Sequence, residues 1–167
     1  MVTIYPVKDI RFRISVVGRG ATSGGAFMDV VGMESFSITF DNGVDEWNPL
    51  DSRGWVRRMV TSKSMTVSLA GKRVTHCFGN DYVAGLAYQS GQGAATILLV
   101  EFPNGDELSM PCIVNVTACG GGNGDEVAVL EFDCLSDGLP RYTRWDGGNP
   151  VAAAAAMDLG GEADVSN

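Results

Sequence analysis

The chain of 167 residues predicts an all-β fold, a mainly antiparallel sandwich or barrel with one short α-helix and one long loop. Three observations carry this. Segment after segment shows strict alternation of apolar and polar residues, the period of a half-buried strand. Twenty-two glycines punctuate those segments and suit many tight turns. Only one window departs to a spacing of three and four, the mark of a helix face.

Taken in order, Arg11–Val17 places Phe12, Ile14 and Val16 on one face, a strand. The loop 18–26, GRGATSGGA, has the look of a dinucleotide fingerprint, but Ser23 stands where the third glycine belongs and no helical pattern follows, so that reading is rejected. Residues 27–32 offer a further short strand. Phe36, Ile38 and Phe40 alternate with Ser37, Thr39 and Asp41, and Asn42-Gly43 reads as the turn that ends them. Met65, Val67 and Leu69 form the apolar face of a strand at 64–70.

Between these two strands, at about 42–60, lies a long loop interrupted by Pro49 and Gly54. It carries Trp47 and Trp55, two of the three tryptophans, together with Arg53, Arg57 and Arg58. Trp and Arg are enriched at interface hot spots. Two readings stand side by side: a docking loop for another protein, or a loop that folds back so that each Trp caps its own core.

A helix is expected at about 80–90, with Asn80 or Asp81 as its cap, Val83, Leu86 and Ala87 on its buried face, and Gly91 and Gly93 closing it. Three strands follow, at 96–102, 108–119 and 127–135, separated by Pro103-Asn104-Gly105-Asp106 and by Gly120 to Gly124. The last of them presents Ala128, Leu130, Phe132 and Cys134 on one face and Glu131 and Asp133 on the other. Residues 1–144 are therefore read as one domain. Residues 145–167, rich in Gly, Ala and acids, are read as a weakly ordered tail or a surface-draped arm.

Charge and cysteine usage narrow the function. Residues 1–73 hold ten basic and seven acidic residues, whereas 74–140 hold nine acids and no Lys or Arg. The acidic half reads as a solvated face, a polyanion-repelling surface, or a match for a basic partner. It opposes direct nucleic-acid binding, which needs a basic footprint. Cys77, Cys112, Cys119 and Cys134 have no metal-site spacing, and Cys112 and Cys134 fall on apolar strand faces as small core residues. His76 beside Cys77 lacks any supporting catalytic motif. No constellation suggests an enzyme, and no cofactor or metal is expected. The N-terminus shows no signal-peptide pattern, and no apolar run approaches a membrane span.

The blocks EWNPLDSRGWVRRMVTSKSMTVSLAGKR, GNDYVAGLAYQSG, FPNGDELSMPCIVNV and GGGNGDEVAVLEFDCLSDGLP, in this order, resemble the major tail tube protein family of tailed bacteriophages. The likeness runs from about Glu34 to Tyr142; the loop 18–26 and everything after Arg144 depart from it. It implies a non-enzymatic virion subunit, assembled in the host bacterial cytoplasm. Such subunits close into hexameric rings stacked as a tube around a tape measure protein, and meet tail terminator and baseplate or tail-tip proteins. DNA would pass only in transit, and no membrane insertion is expected. On this reading the long loop is an assembly element. Trp47, Pro49, Arg53, Trp55, Arg57 and Arg58 become subunit-interface candidates, and Glu101, Glu131 and Asp133 candidates for an acidic, non-adhesive lumen. Two alternatives stay open: a tail terminator or secretion-tube subunit of similar fold, and a monomeric ligand-binding sandwich built on Trp47, Trp55 and Tyr88.

Overall fold

The computed structural model describes residues 4–21, 24–145 and 150–152. The strands are β1 (Arg11–Ser15), β2 (Phe27–Asp29), β3 (Met33–Trp47), β4 (Arg57–Lys72), β5 (Ala95–Glu101), β6 (Glu107–Cys119), β7 (Val129–Ser136), β8 (Arg141–Trp145) and β9 (Pro150–Ala152), with the helix α1 (Phe78–Leu86) between β4 and β5. All pairings are antiparallel, in the order β2-β1-β5-β6-β7-β4-β3, with β8 against β6 and β9 against β8. The all-β expectation thus holds, with a single α-helix among the described residues.

The sheet curls on itself. Phe12 of β1 and Phe36 of β3 are far apart in strand order, yet their rings meet edge to face at 4.9 Å. The Lys72 amide donates to the Gly32 carbonyl at 2.8 Å where the β3–β4 ladder begins. Gly71 sits beside it, where a side chain would overlap the Gly32 carbonyl oxygen. The alternating apolar residues therefore face one interior. Ile14, Val67, Leu98, Met110, Leu130 and Phe132 are essentially inaccessible there, each contributing about 1.5–3 kcal/mol by burial. Cys112 and Cys134 share that interior as expected. The Cys134 thiol is pushed well above its ordinary range by its hydrogen bond with Cys112 and by burial, which suits a core residue rather than a nucleophile.

Helix α1 begins earlier than expected and ends earlier too, at Leu86 rather than near residue 90. Cys77, not Asn80 or Asp81, is the N-cap. Val83 and Leu86 are buried as expected, but the third residue of the face is Ala84, and Ala87 is exposed. Asn80 lies inside the helix and is fully buried. Its amide donates to the Val31 and Lys72 carbonyls at 3.0 and 3.1 Å and accepts from the Val74 amide and Arg73 at 3.1 and 2.8 Å. Arg73 in turn grips Asp81 at 2.6 Å. Asn80 is thus the peg that fixes α1 to the end of β4 and the turn before β3. Asn80→Ala should strand several buried partners and cost about 3–5 kcal/mol. A thermal melt checks it, with a fall on the order of 10 °C expected.

After β7, β8 resumes along the edge of β6 that β7 occupies, Ser109 facing Arg141 and Glu107 facing Thr143, and β9 adds Pro150–Ala152, from the segment read as a tail, to its far side. The rest of the expected tail lies outside the described residues. One buried carboxylate holds β8 in place. Asp106 accepts from the Tyr142 hydroxyl at 2.6 Å, the Trp145 amide at 2.9 Å and the Asn104 side chain at 2.9 Å. Gly105, at φ +89°, leaves room for the Trp145 ring. No local pattern marks this clasp, because its partners lie 36 and 39 residues apart.

The clasp also sets a pH dependence. Its bonds, the one from Tyr142 foremost, hold the Asp106 carboxyl below its ordinary value of 3.8, while burial and then Asp106 push Tyr142 up to about 12. A depressed carboxylate stabilises the fold above its unfolded value and loses that contribution as pH falls through the folded one. A raised phenol acts below its unfolded value of 10 and is lost as pH rises toward about 12. The difference in melting temperature between the native chain and Asp106→Asn should therefore be flat from about pH 5 to 9 and shrink below pH 3.8. A difference that vanishes already near neutrality would remove the carboxylate from this role.

Candidate assembly site

The segment expected as an irregular loop at 42–60 is mostly a β-hairpin arm. Strands β3 and β4 stay paired from Met33–Gly71 out to Trp47–Arg57. Asn42-Gly43 does not end the strand. The register instead shifts between Gly43 and Val44, where Thr61 is the extra residue of a β-bulge. The true connection is only 48–56. It is knitted by Ser52, whose hydroxyl donates to the Pro49 carbonyl at 2.7 Å and to Asn48 Oδ1 at 3.3 Å. Pro49 caps a 3-10 turn at Leu50–Ser52, and Arg53 closes it in the left-handed region at φ 53°. A non-glycine residue there stores on the order of 1 kcal/mol, so the tip is a defined turn rather than a loose one.

Register decides which candidates meet. Trp47 faces Arg57 and Asp45 faces Met59, all on one side of the arm. Arg58 points to the other side, where its Nε reaches Glu46 at 2.7 Å. Trp55 stands at the tip, 80% exposed, and Trp47 is also exposed, so neither caps a core of its own. Arg53 and Pro49 shape the tip backbone. Sequence reading missed the arm's other exposed apolar residues: Val44, Leu50, Val56, Met59 and Val60. The only signal for them was the opposed pair Val44 and Val60, which needs the register to be seen.

The other candidates lie on the outer face of the sheet, opposite the core. Glu131 sits between Ala70 and Ala118, and Asp133 between Ser68 and Asn115. Among the described residues neither makes an ion pair. Glu101 is on the same face but in a different setting. Pairing of β1 with β5 brings Arg11 opposite it and Arg13 within 3.1 Å of its carboxylate. Arg13 also contacts Asp29 at 3.4 Å. The base-free stretch of the sequence is therefore not base-free in space. Arg13–Glu101, Arg19–Asp137 and Arg73–Asp81 all join the basic first part to the acidic second part within one chain. An apolar belt of Ile97, Pro111, Ile113 and Leu135 separates the paired patch from the Glu131–Asp133 strip. Among the described residues no group of three or more His, Cys, Asp and Glu could hold a metal. Cys77 donates to the Asp29 carbonyl at 3.4 Å and serves as the helix cap.

No family model and no curated protein matches the chain. Solved structures do match its fold. A chain in the tail of an empty gene transfer agent particle with C6 symmetry superposes with a TM-score of 0.62 at 17% identity, over 82% of this chain and 97% of that one. This chain shares the fold of that one. A chain in the virion of a native gene transfer agent particle agrees, with a TM-score of 0.63 at 16% identity over 84% and 99% of the two chains. The shared fold takes in nearly all of those chains, so the likeness belongs to the whole curled sheet and not to a fragment.

Proposed function

We propose that this chain is a non-enzymatic virion subunit that forms stacked rings of six as the tail tube of a bacteriophage-like particle. The observation that carries the reading is an exposed, preformed Trp arm on a fold shared with a chain in a C6-symmetric particle tail. An arm of this kind supports a heterologous interface, in which one patch meets a different patch on the next copy and a rotation closes the ring. Trp47 and Arg57, side by side on one face of the arm, and Trp55 at its tip are the contacts assigned to it. Pro49 and Arg53 hold the tip in shape.

The reading extends to a conduit. A tube that passes DNA must not grip it, since phosphate contacts by repeated cations add up along the wall. The strip of Glu131 and Asp133 offers such a lumen acids that make no ion pair among the described residues. The guanidinium of Arg13 is already engaged by Glu101 and Asp29, so it adds little adhesion. On this reading a tape measure protein fills the tube before DNA does. Terminator and baseplate or tail-tip proteins cap its ends, and assembly takes place in the host cytoplasm.

Sedimentation at high concentration, with and without tape measure protein, followed by negative-stain microscopy, tests the proposal. Rings of six or tubes are expected. A strict monomer under every condition and in tail extracts would sink it.

A further inference from the structure

We infer that the arm tip of one copy docks in an apolar groove at the base of the arm of a second copy. This rests on the tube reading and names the receiving surface. The groove is an open concavity of about 850 Å³ between the root of the β3–β4 hairpin and the segment that links β7 to β8. Phe40, Met65, Phe102, Leu108, Leu139 and Tyr142 form its apolar wall. Two of these are left in solvent by the single chain, Phe40 at 67% and Leu139 at 65% exposed. Exposed aromatic and aliphatic residues gathered around a concavity mark a docking site rather than scattered surface.

The occupant follows from three features. First, the same chain carries a matching apolar element, with Trp55, Leu50 and Val56 exposed together around one turn. Second, that element cannot reach the groove of its own chain. Phe40 and Met65 face each other at the root of the arm, and the strands remain paired out to Trp47 and Arg57. At about 3.3 Å per residue the tip is held roughly 20–25 Å away, and folding back would break the hairpin ladder. The groove is thus closed to the tip of its own chain and open to that of another copy. Third, size and order fit. A volume of this order accepts a bicyclic ring with a branched aliphatic beside it. Two Trp side chains at about 150–250 Å² each, with Leu50, Val56 and Met59, bring the arm toward the roughly 800 Å² per partner of a stable interface. The Ser52 bonds that pre-form the tip remove much of the ordering cost of binding.

The contact is heterologous, tip to groove, so every copy gives one tip and receives one. Cross-linking decides it. In a Cys77→Ser, Cys119→Ser background, the remaining cysteines are buried. Asp51→Cys is placed at the tip in one protein and Lys63→Cys at the groove in another; neither change removes an apolar contact. Mild oxidation with oxidised glutathione should yield a covalent dimer in the mixture and at least tenfold less in either protein alone. Both cysteines in one chain should give a ladder of covalent oligomers. Leu139→Glu, at an exposed position, should abolish assembly with an unchanged melting temperature. Assembly that proceeds without cross-linking and survives Leu139→Glu overturns the groove and leaves the tube reading intact. Covalent dimers of the Asp51→Cys protein alone overturn it in favour of tip-to-tip contact. A parent chain that never assembles overturns both readings.

Discussion

Trp55→Ala combined with Arg57→Ala should eliminate tubes while leaving the monomer folded. Trp55 is 80% exposed, and among the described residues Arg57 makes no ion pair. Surface changes of this type usually move monomer stability by no more than about 0.5 kcal/mol. At an interface the same truncations cost about 2 kcal/mol or more each. Together they would weaken each subunit contact by roughly a thousandfold. The loss recurs at every contact of a ring, so closure fails well before the chain unfolds. Circular dichroism melts and electron microscopy on one sample separate the outcomes. Loss of the fold itself would return Trp55 to a capping role, against its exposure here.

Glu131→Lys with Asp133→Lys should let tubes form but slow or trap DNA during ejection. Both residues sit on β7 with their backs to Leu130, Phe132 and Cys134 in the core, so the new lysines project outward without disturbing packing. The proposed ring of six would change by roughly 24 unit charges, and the attraction for phosphate repeats along the whole tube. The competing outcome is blocked assembly, which would mean that these acids pair with a cation of the next copy. Among Arg57, Arg58 and Arg73, the structure favours Arg57 as that cation, because Arg58 is engaged by Glu46 and Arg73 by Asp81. Tubes of normal length that eject DNA at the normal rate would falsify both assignments.

What could be read from residues alone was whatever one buried face writes into the chain. Phe12 and Ile14, Met65 to Leu69, Leu98 and Val100, Cys112 and Val114, and Leu130 to Cys134 alternate because one side of the sheet is buried and the other is not. The same logic failed on the arm. Both faces of β3 and β4 beyond Phe40 and Met65 are in solvent, so no alternation is imposed, and paired strands looked like a loop broken at Asn42-Gly43. Asn80 was misread for a related reason. Asn favours caps when it bonds to its own helix, and here its partners are carbonyls of Val31 and Lys72.

The sequence by itself therefore determined the β class, the core residues and the Trp- and Arg-rich character of the segment around Trp55, since these depend on local period and composition. Only the tertiary structure decided that this segment is a paired hairpin arm, that Arg57 and Arg58 part to opposite faces, and that Arg13 meets Glu101 across 88 residues of chain. Strand register and sheet order set those relations, and both arise from pairings between distant segments.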